Sequence, residues 1–180
     1  MGDAHRIGIV GLGVISRAYL DTLLGHPTVR VTAVADLDAT RSAAVAAELP
    51  DARALTVEEL LSSPDVDTVL NLTVPAAHAE IALGAIGHGK NVYGEKPLAA
   101  TLVDAQAVME AAGKAGVGVG CAPDTVLGTG VQTARAAVEA GSIGRPQFAS
   151  AVPPYASPRS PISTPPARPR SPPSCPVSGR

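Results

Sequence analysis

Apolar positions along the first 150 residues follow two alternating spacings. Consecutive apolar or β-branched runs recur at Arg6–Val10, Val29–Ala35, Thr68–Leu72, Lys90–Tyr93 and Val117–Cys121. Between them the apolar residues fall three and four apart, over residues 14–24, Thr40–Leu49, Pro75–Gly87, 102–113 and about 125–140. The first spacing predicts strands buried on both faces, because half-buried strands would alternate apolar and polar residues. The second predicts helices, with Thr40 and Thr101 placed as N-caps and Gly141 as a stop. After Pro50 a short strand at 53–55 and a small helix at 57–62 interrupt the alternation. Strands joined through single helices imply right-handed crossovers and parallel pairing. The pattern therefore predicts an α/β fold with a doubly wound parallel sheet.

Composition splits the chain in two. Residues 151–180 hold 10 of the 17 prolines, 6 serines and 4 arginines, and no acidic residue. Residues 1–150 carry 10 basic and 16 acidic side chains, a net charge of −6 against +4 for the rest. A segment so dense in proline and poor in apolar groups is expected to be disordered or partly polyproline II. Spacings such as Pro158-Arg159-Ser160-Pro161 are expected by chance there. The expected organisation is a folded domain over 1–150 and a Pro/Ser/Arg-rich tail over 151–180. The core must be built from Ala, Val, Leu and Ile, since aromatics make up 2% of the chain. A formal net charge of −2 argues against a protein that coats nucleic acid. Two cysteines, Cys121 and Cys175, make no disulfide framework, and no leader or membrane-length apolar run is visible. A cytoplasmic protein is the expectation, with no nucleic-acid or membrane partner and no metal site.

The first strand runs into Gly11-Leu12-Gly13-Val14-Ile15-Ser16 and then directly into a helix. Gly11 suits a tight strand-to-helix turn, and Gly13 lets backbone approach a pyrophosphate. Ser16 is small enough for the helix to pack close to the strand. The helix N-terminus would offer free N–H groups and a positive dipole end to the phosphates. Asp36 follows Gly11 by 25 residues, at the end of the second strand, where a carboxylate would accept ribose hydroxyl hydrogen bonds. A glycine pattern alone is a weak signal; strand, glycine turn, helix, strand and acid in order make a strong one. Asp36 and Asp38 favour NAD. Arg41, one helical turn on, is within reach of a 2′-phosphate, so NADP stays open as the lesser alternative.

Two later segments are the most diagnostic: Asn71-Leu72-Thr73-Val74-Pro75-Ala76-Ala77-His78, and Glu95-Lys96-Pro97-Leu98 after Gly89-Lys90-Asn91-Val92-Tyr93-Gly94. From residue 6 to about 150 the chain resembles the glucose–fructose oxidoreductase/inositol dehydrogenase (Gfo/Idh/MocA) family. That family shares the glycine turn, a Thr-x-Pro-x-x-His helix start and a Glu-Lys-Pro signature, and its N-terminal domain is a Rossmann-like fold. Two-domain dehydrogenases of the dihydrodipicolinate or homoserine type share the architecture, but the Glu-Lys-Pro signature argues against them. By the resemblance Lys96 is the catalytic lysine, near the nicotinamide and the substrate hydroxyl. Glu95 is similar to the family's cofactor-contacting acid. The expected cofactor-binding set is Gly11, Gly13, Val14, Ile15, Asp36, Thr73, Pro75, His78, Glu95 and Lys96. His78 is the most ambiguous of these, since a histidine in a first helical turn is by residue type a surface or capping group. His5, His26 and His88 read as bland, and Cys121 as a small buried side chain.

The resemblance implies an NAD(P)-dependent oxidoreductase acting on a sugar, cyclitol or related polyol, and a homo-oligomer. It also implies a second domain carrying an Asp-x-x-x-His pair, yet no histidine follows His88 and no acid follows Glu139. Residues Arg145–Val152 are expected to form a first strand leading toward that domain, where the pattern stops. A truncated or frame-shifted product lacking the second domain is therefore expected, with a natural short paralogue as the alternative. The competing functional reading is a non-catalytic dinucleotide-binding module.

Overall fold

The apolar runs become six parallel strands in the computed structural model, which describes residues 4–149. The expected tail over 151–180, with Cys175, lies outside the described residues. The strands are β1 (His5–Val10), β2 (Val29–Ala35), β3 (Arg53–Ala54), β4 (Thr68–Asn71), β5 (Asn91–Gly94) and β6 (Val119–Cys121). They form one sheet in the order β3-β2-β1-β4-β5-β6, with every neighbour parallel. The helices are α1 (Val14–Leu23), α2 (Ala39–Ala47), α3 (Val57–Ser62), α4 (His78–Gly87), α5 (Leu102–Ala115) and α6 (Thr129–Glu139). This is the doubly wound, Rossmann-like sheet that the alternation predicts.

Successive strand residues feed opposite layers. Ile9, Val34 and Leu70 pack with Leu20 of α1 and Leu49 beyond α2. Their neighbours Val10, Ala35 and Val69 pack with Leu60, Ile81, Ala85 and Val108 from α3, α4 and α5. Both faces are therefore apolar, and polar alternation disappears from β1, β2 and β4. The edges differ: β3 is exposed and β6 half-buried.

At the amino ends of β1 and β4 a carboxylate fixes the register. Asp67 accepts the Arg6 backbone N–H at 2.9 Å and its Nε at 3.0 Å, and its own N–H donates to the Arg6 carbonyl at 2.9 Å. The Arg6 guanidinium holds the Asp67 carboxyl down at about 2, against the opposing effect of its partial burial.

Several boundaries depart from the sequence pattern; α6 starts at Thr129 after a 3₁₀ turn over Asp124–Leu127, and β6 at Val119. The N-cap of α2 is Asp38, not Thr40: its carboxylate accepts the Thr40 and Arg41 N–H groups at 3.0 and 3.3 Å. An acid two residues earlier outcompetes a hydroxyl because it reaches two orphan donors at once. Pro75–Ala77 form a 3₁₀ turn, so α4 starts at His78. Residues 145–149 of the expected Arg145–Val152 strand are irregular, and 150–152 lie outside the described residues. Without a partner strand such a segment has nothing to satisfy its backbone.

The chain divides into two compact units, Met1–Ala134 and Arg135–Arg180. The first contains the whole sheet and α1 to α5. In the second, the described residues finish α6 and turn through Gly141 and Gly144, both at positive φ. Among the described residues no helix is long and apolar enough to cross a membrane.

Candidate functional site

The strand order reverses between β1 and β4, so the segments leaving their carboxyl ends diverge and open a crevice. Into it lead Gly11–Gly13 after β1, Asp36 after β2, Asn71–Pro75 after β4 and Glu95–Pro97 after β5.

Gly11 adopts φ +92, and a Cβ there would lie 2.7 Å from the Leu72 carbonyl and the Thr73 nitrogen. The β1–α1 turn thus rests directly on the turn after β4. Gly13 is the N-cap of α1 with no side-chain cap, and a Cβ there would meet nothing within 4 Å. Val14 is 100% exposed and no acid stands in the first turn. The orphan amides of this helix end therefore face open space with a positive dipole behind them. Ser16 is buried, and its hydroxyl donates to the Gly13 carbonyl at 2.6 Å, closing the turn.

Asp36 does more than stand at the strand end. Its Oδ2 accepts the Leu12 N–H at 2.8 Å, between the two glycines. Its Oδ1 accepts the Asp38 N–H at 2.9 Å and the Arg41 Nη1 at 3.0 Å. Burial raises the Asp36 carboxyl pKa, but these donors outweigh it and leave it below the usual carboxylate range. An ionised carboxylate has about four acceptor sites, so one on Oδ2 remains for a further donor.

On the other side of the crevice Asn71 is buried and organises the turn after β4. Its Oδ1 accepts the Thr73 hydroxyl at 2.6 Å, and its carbonyl accepts the Glu95 N–H at 3.0 Å. Glu95 accepts the Tyr19 hydroxyl at 2.6 Å and the Lys96 N–H at 3.2 Å, so a tyrosine of α1 aims the acid. Burial, then that donated hydrogen bond, drives the Tyr19 pKa well up. Lys96 is exposed at the crevice and its peptide bond to Pro97 is cis. Cys121 is half-buried rather than buried; its thiol lies 3.7 Å from the Glu95 carbonyl and is pushed up by burial and by Glu95. His78 is buried, with both ring nitrogens against backbone carbonyls rather than at the surface.

Tyr19 and Asn71 were not singled out by residue type. A buried polar residue ending an apolar strand, and one of only three tyrosines in the chain, were the signals available. A separate apolar groove of ≈470 Å³ flanks α1, lined by residues including Ile7, Tyr19, Leu70 and Tyr93, away from the strand ends.

An uncapped helix end, an acid beside it and a glycine turn without side chains fit a dinucleotide: phosphates at the α1 amides, ribose at Asp36. The family described as an oxidoreductase family with an NAD-binding Rossmann fold matches residues 5–122. The chain belongs to the Gfo/Idh/MocA oxidoreductase family. Among its relatives, the 1,5-anhydro-D-fructose reductase of Ensifer adhaerens is 37% identical over 143 residues, covering 79% of this chain and 43% of that protein. Inositol 2-dehydrogenase 3 of Saccharopolyspora erythraea is 35% identical over 151 residues, covering 82% and 44%. An NAD binding oxidoreductase from Klebsiella pneumoniae superposes with a TM-score of 0.68 at 30% identity, over 78% of this chain and 40% of that one. The chain thus spans under half the length of these Gfo/Idh/MocA relatives.

Proposed function

We propose that the chain is the nucleotide-binding part of an NAD(P)-dependent oxidoreductase that acts on a sugar, cyclitol or related polyol. The observation that carries this reading is the open, uncapped N-terminus of α1 beside Asp36 at the reversal of strand order. The bound nucleotide would supply a nicotinamide ring that exchanges hydride with a carbinol carbon. The chain's own residues do the rest. Gly13, Val14 and Ile15 hold the pyrophosphate through backbone N–H groups. Asp36 takes a ribose hydroxyl on its remaining Oδ2 site. Leu37, 99% exposed, offers the adenine an apolar face. Thr73 and Pro75 form the opposite wall. Lys96 hydrogen-bonds the substrate hydroxyl and handles its proton, with Glu95 fixing the segment through Tyr19.

NAD is the preferred form. A 2′-phosphate would meet the Asp36 carboxylate, and Arg41 is already paired with that carboxylate at 3.0 Å. The relatives' names support the polyol class, and the free thiol of Cys121 suits a reducing cytoplasm.

Fluorescence titration with NADH tests the reading. The native chain should bind NADH more tightly than NADPH, and Gly13→Val should abolish binding by filling the space against the pyrophosphate. Undiminished binding by that variant would refute the site. Asp36→Ala should weaken NADH about tenfold, equal to losing one charge-assisted hydrogen bond, and narrow the gap to NADPH.

A further inference from the structure

His78 opens α4 at 3% exposure, and its ring meets two backbone carbonyl oxygens: Nδ1 lies 2.6 Å from that of Pro97, Nε2 3.0 Å from that of Thr73. A carbonyl oxygen only accepts, so the ring supplies the donor, and both of its nitrogens are held between the two backbone segments.

Asn71 completes the tie. It is 2% exposed, its Nδ2 donates to the His78 carbonyl at 3.0 Å, and its Oδ1 accepts from Thr73. One ring and one amide therefore join the start of α4, the turn after β4 and the Lys96–Pro97 segment. Filling this volume alone would need no donors, and buried polar groups persist where their hydrogen bonds are made.

We propose that His78 is a positioning residue: a buried bridge that holds the Lys96–Pro97 segment against the Thr73 turn and so fixes where Lys96 stands beside the nucleotide. The role toward the nucleotide rests on the function proposed above; the bridge itself does not.

Nitrogen NMR of the native chain tests the bridge by itself. A His78 ring N–H should be protected from exchange with solvent, as a buried, hydrogen-bonded proton is. A ring N–H that exchanges at once in the folded chain would overturn the proposal. His78→Leu keeps the volume and removes both ring nitrogens. It should shift the Lys96 amide resonance and weaken NADH binding about tenfold. Native NADH affinity in a folded His78→Leu chain would overturn the positioning role, and if that variant does not fold, the native ring measurement still decides the bridge. Failure of the native chain to bind NADH, with the ring N–H protected, would overturn the positioning role together with the nucleotide reading and leave the bridge standing.

Discussion

Gly11 and Gly13 stand two residues apart and are required by different forces. Gly11 is held at φ +92 with backbone 2.7 Å from where a Cβ would sit, so its absence of a side chain serves the fold. Gly13 has an ordinary backbone (φ −72) and open space around it, so its absence of a side chain serves whatever docks there. Gly11→Ala should therefore cost at least ~2 kcal/mol in a denaturant melt, from left-handed strain plus the clash. Gly13→Val should cost under ~1 kcal/mol while losing NADH. Equal stability losses in the two variants would show that this division of roles is wrong. Both glycines were legible in the sequence as one tight strand-to-helix turn. Their division was not, because it depends on how closely the segment after β4 approaches, a contact between residues some 60 positions apart. The same limit applies to Asp36: its place just after β2 could be read from spacing, but its hydrogen bond to the Leu12 N–H could not.

Elements were more legible than their ends. The strand and helix order follows from apolar spacing alone, since sheet burial dictates it. Caps depend on which of several nearby side chains wins the orphan amides. Asp38→Ala should cost about 1 kcal/mol of thermal stability, and Thr40→Ala close to nothing. The reverse result would return the cap to Thr40. Between β1 and β4, Asp67 makes the pairing pH-dependent. Its folded pKa, about 2, lies below the ordinary carboxylate value of 3.8, so its contribution is fully present above about pH 4. That contribution is lost as pH falls toward 2. It amounts to about 1 kcal/mol, because Arg6 is 41% exposed and solvent screens the pair. Asp67→Asn should lower Tm at neutral pH and flatten the acid side of the stability curve across that window. An unchanged acid limb would mean that other carboxylates govern it.

At the scale of the whole molecule the question is whether a nucleotide site amounts to a catalyst. Hydride transfer needs the substrate held within near-attack distance in a pocket from which water is excluded. The described residues supply one wall of such a pocket. Lys96 and Pro97 are exposed at the crevice, and Val14, Leu37 and Val74 present 100%, 99% and 66% of their surface to solvent there. No histidine follows His88 and no acid follows Glu139 in this sequence. A lysine alone can bind a hydroxyl, but it cannot fix the carbinol hydrogen against one face of the ring. The expected outcome is an NADH-binding chain whose NAD reduction by myo-inositol or other polyols stays at background, with Lys96→Ala no slower than the native chain. Turnover clearly above background, abolished by Lys96→Ala with NADH binding retained, would show that these residues orient the substrate unaided.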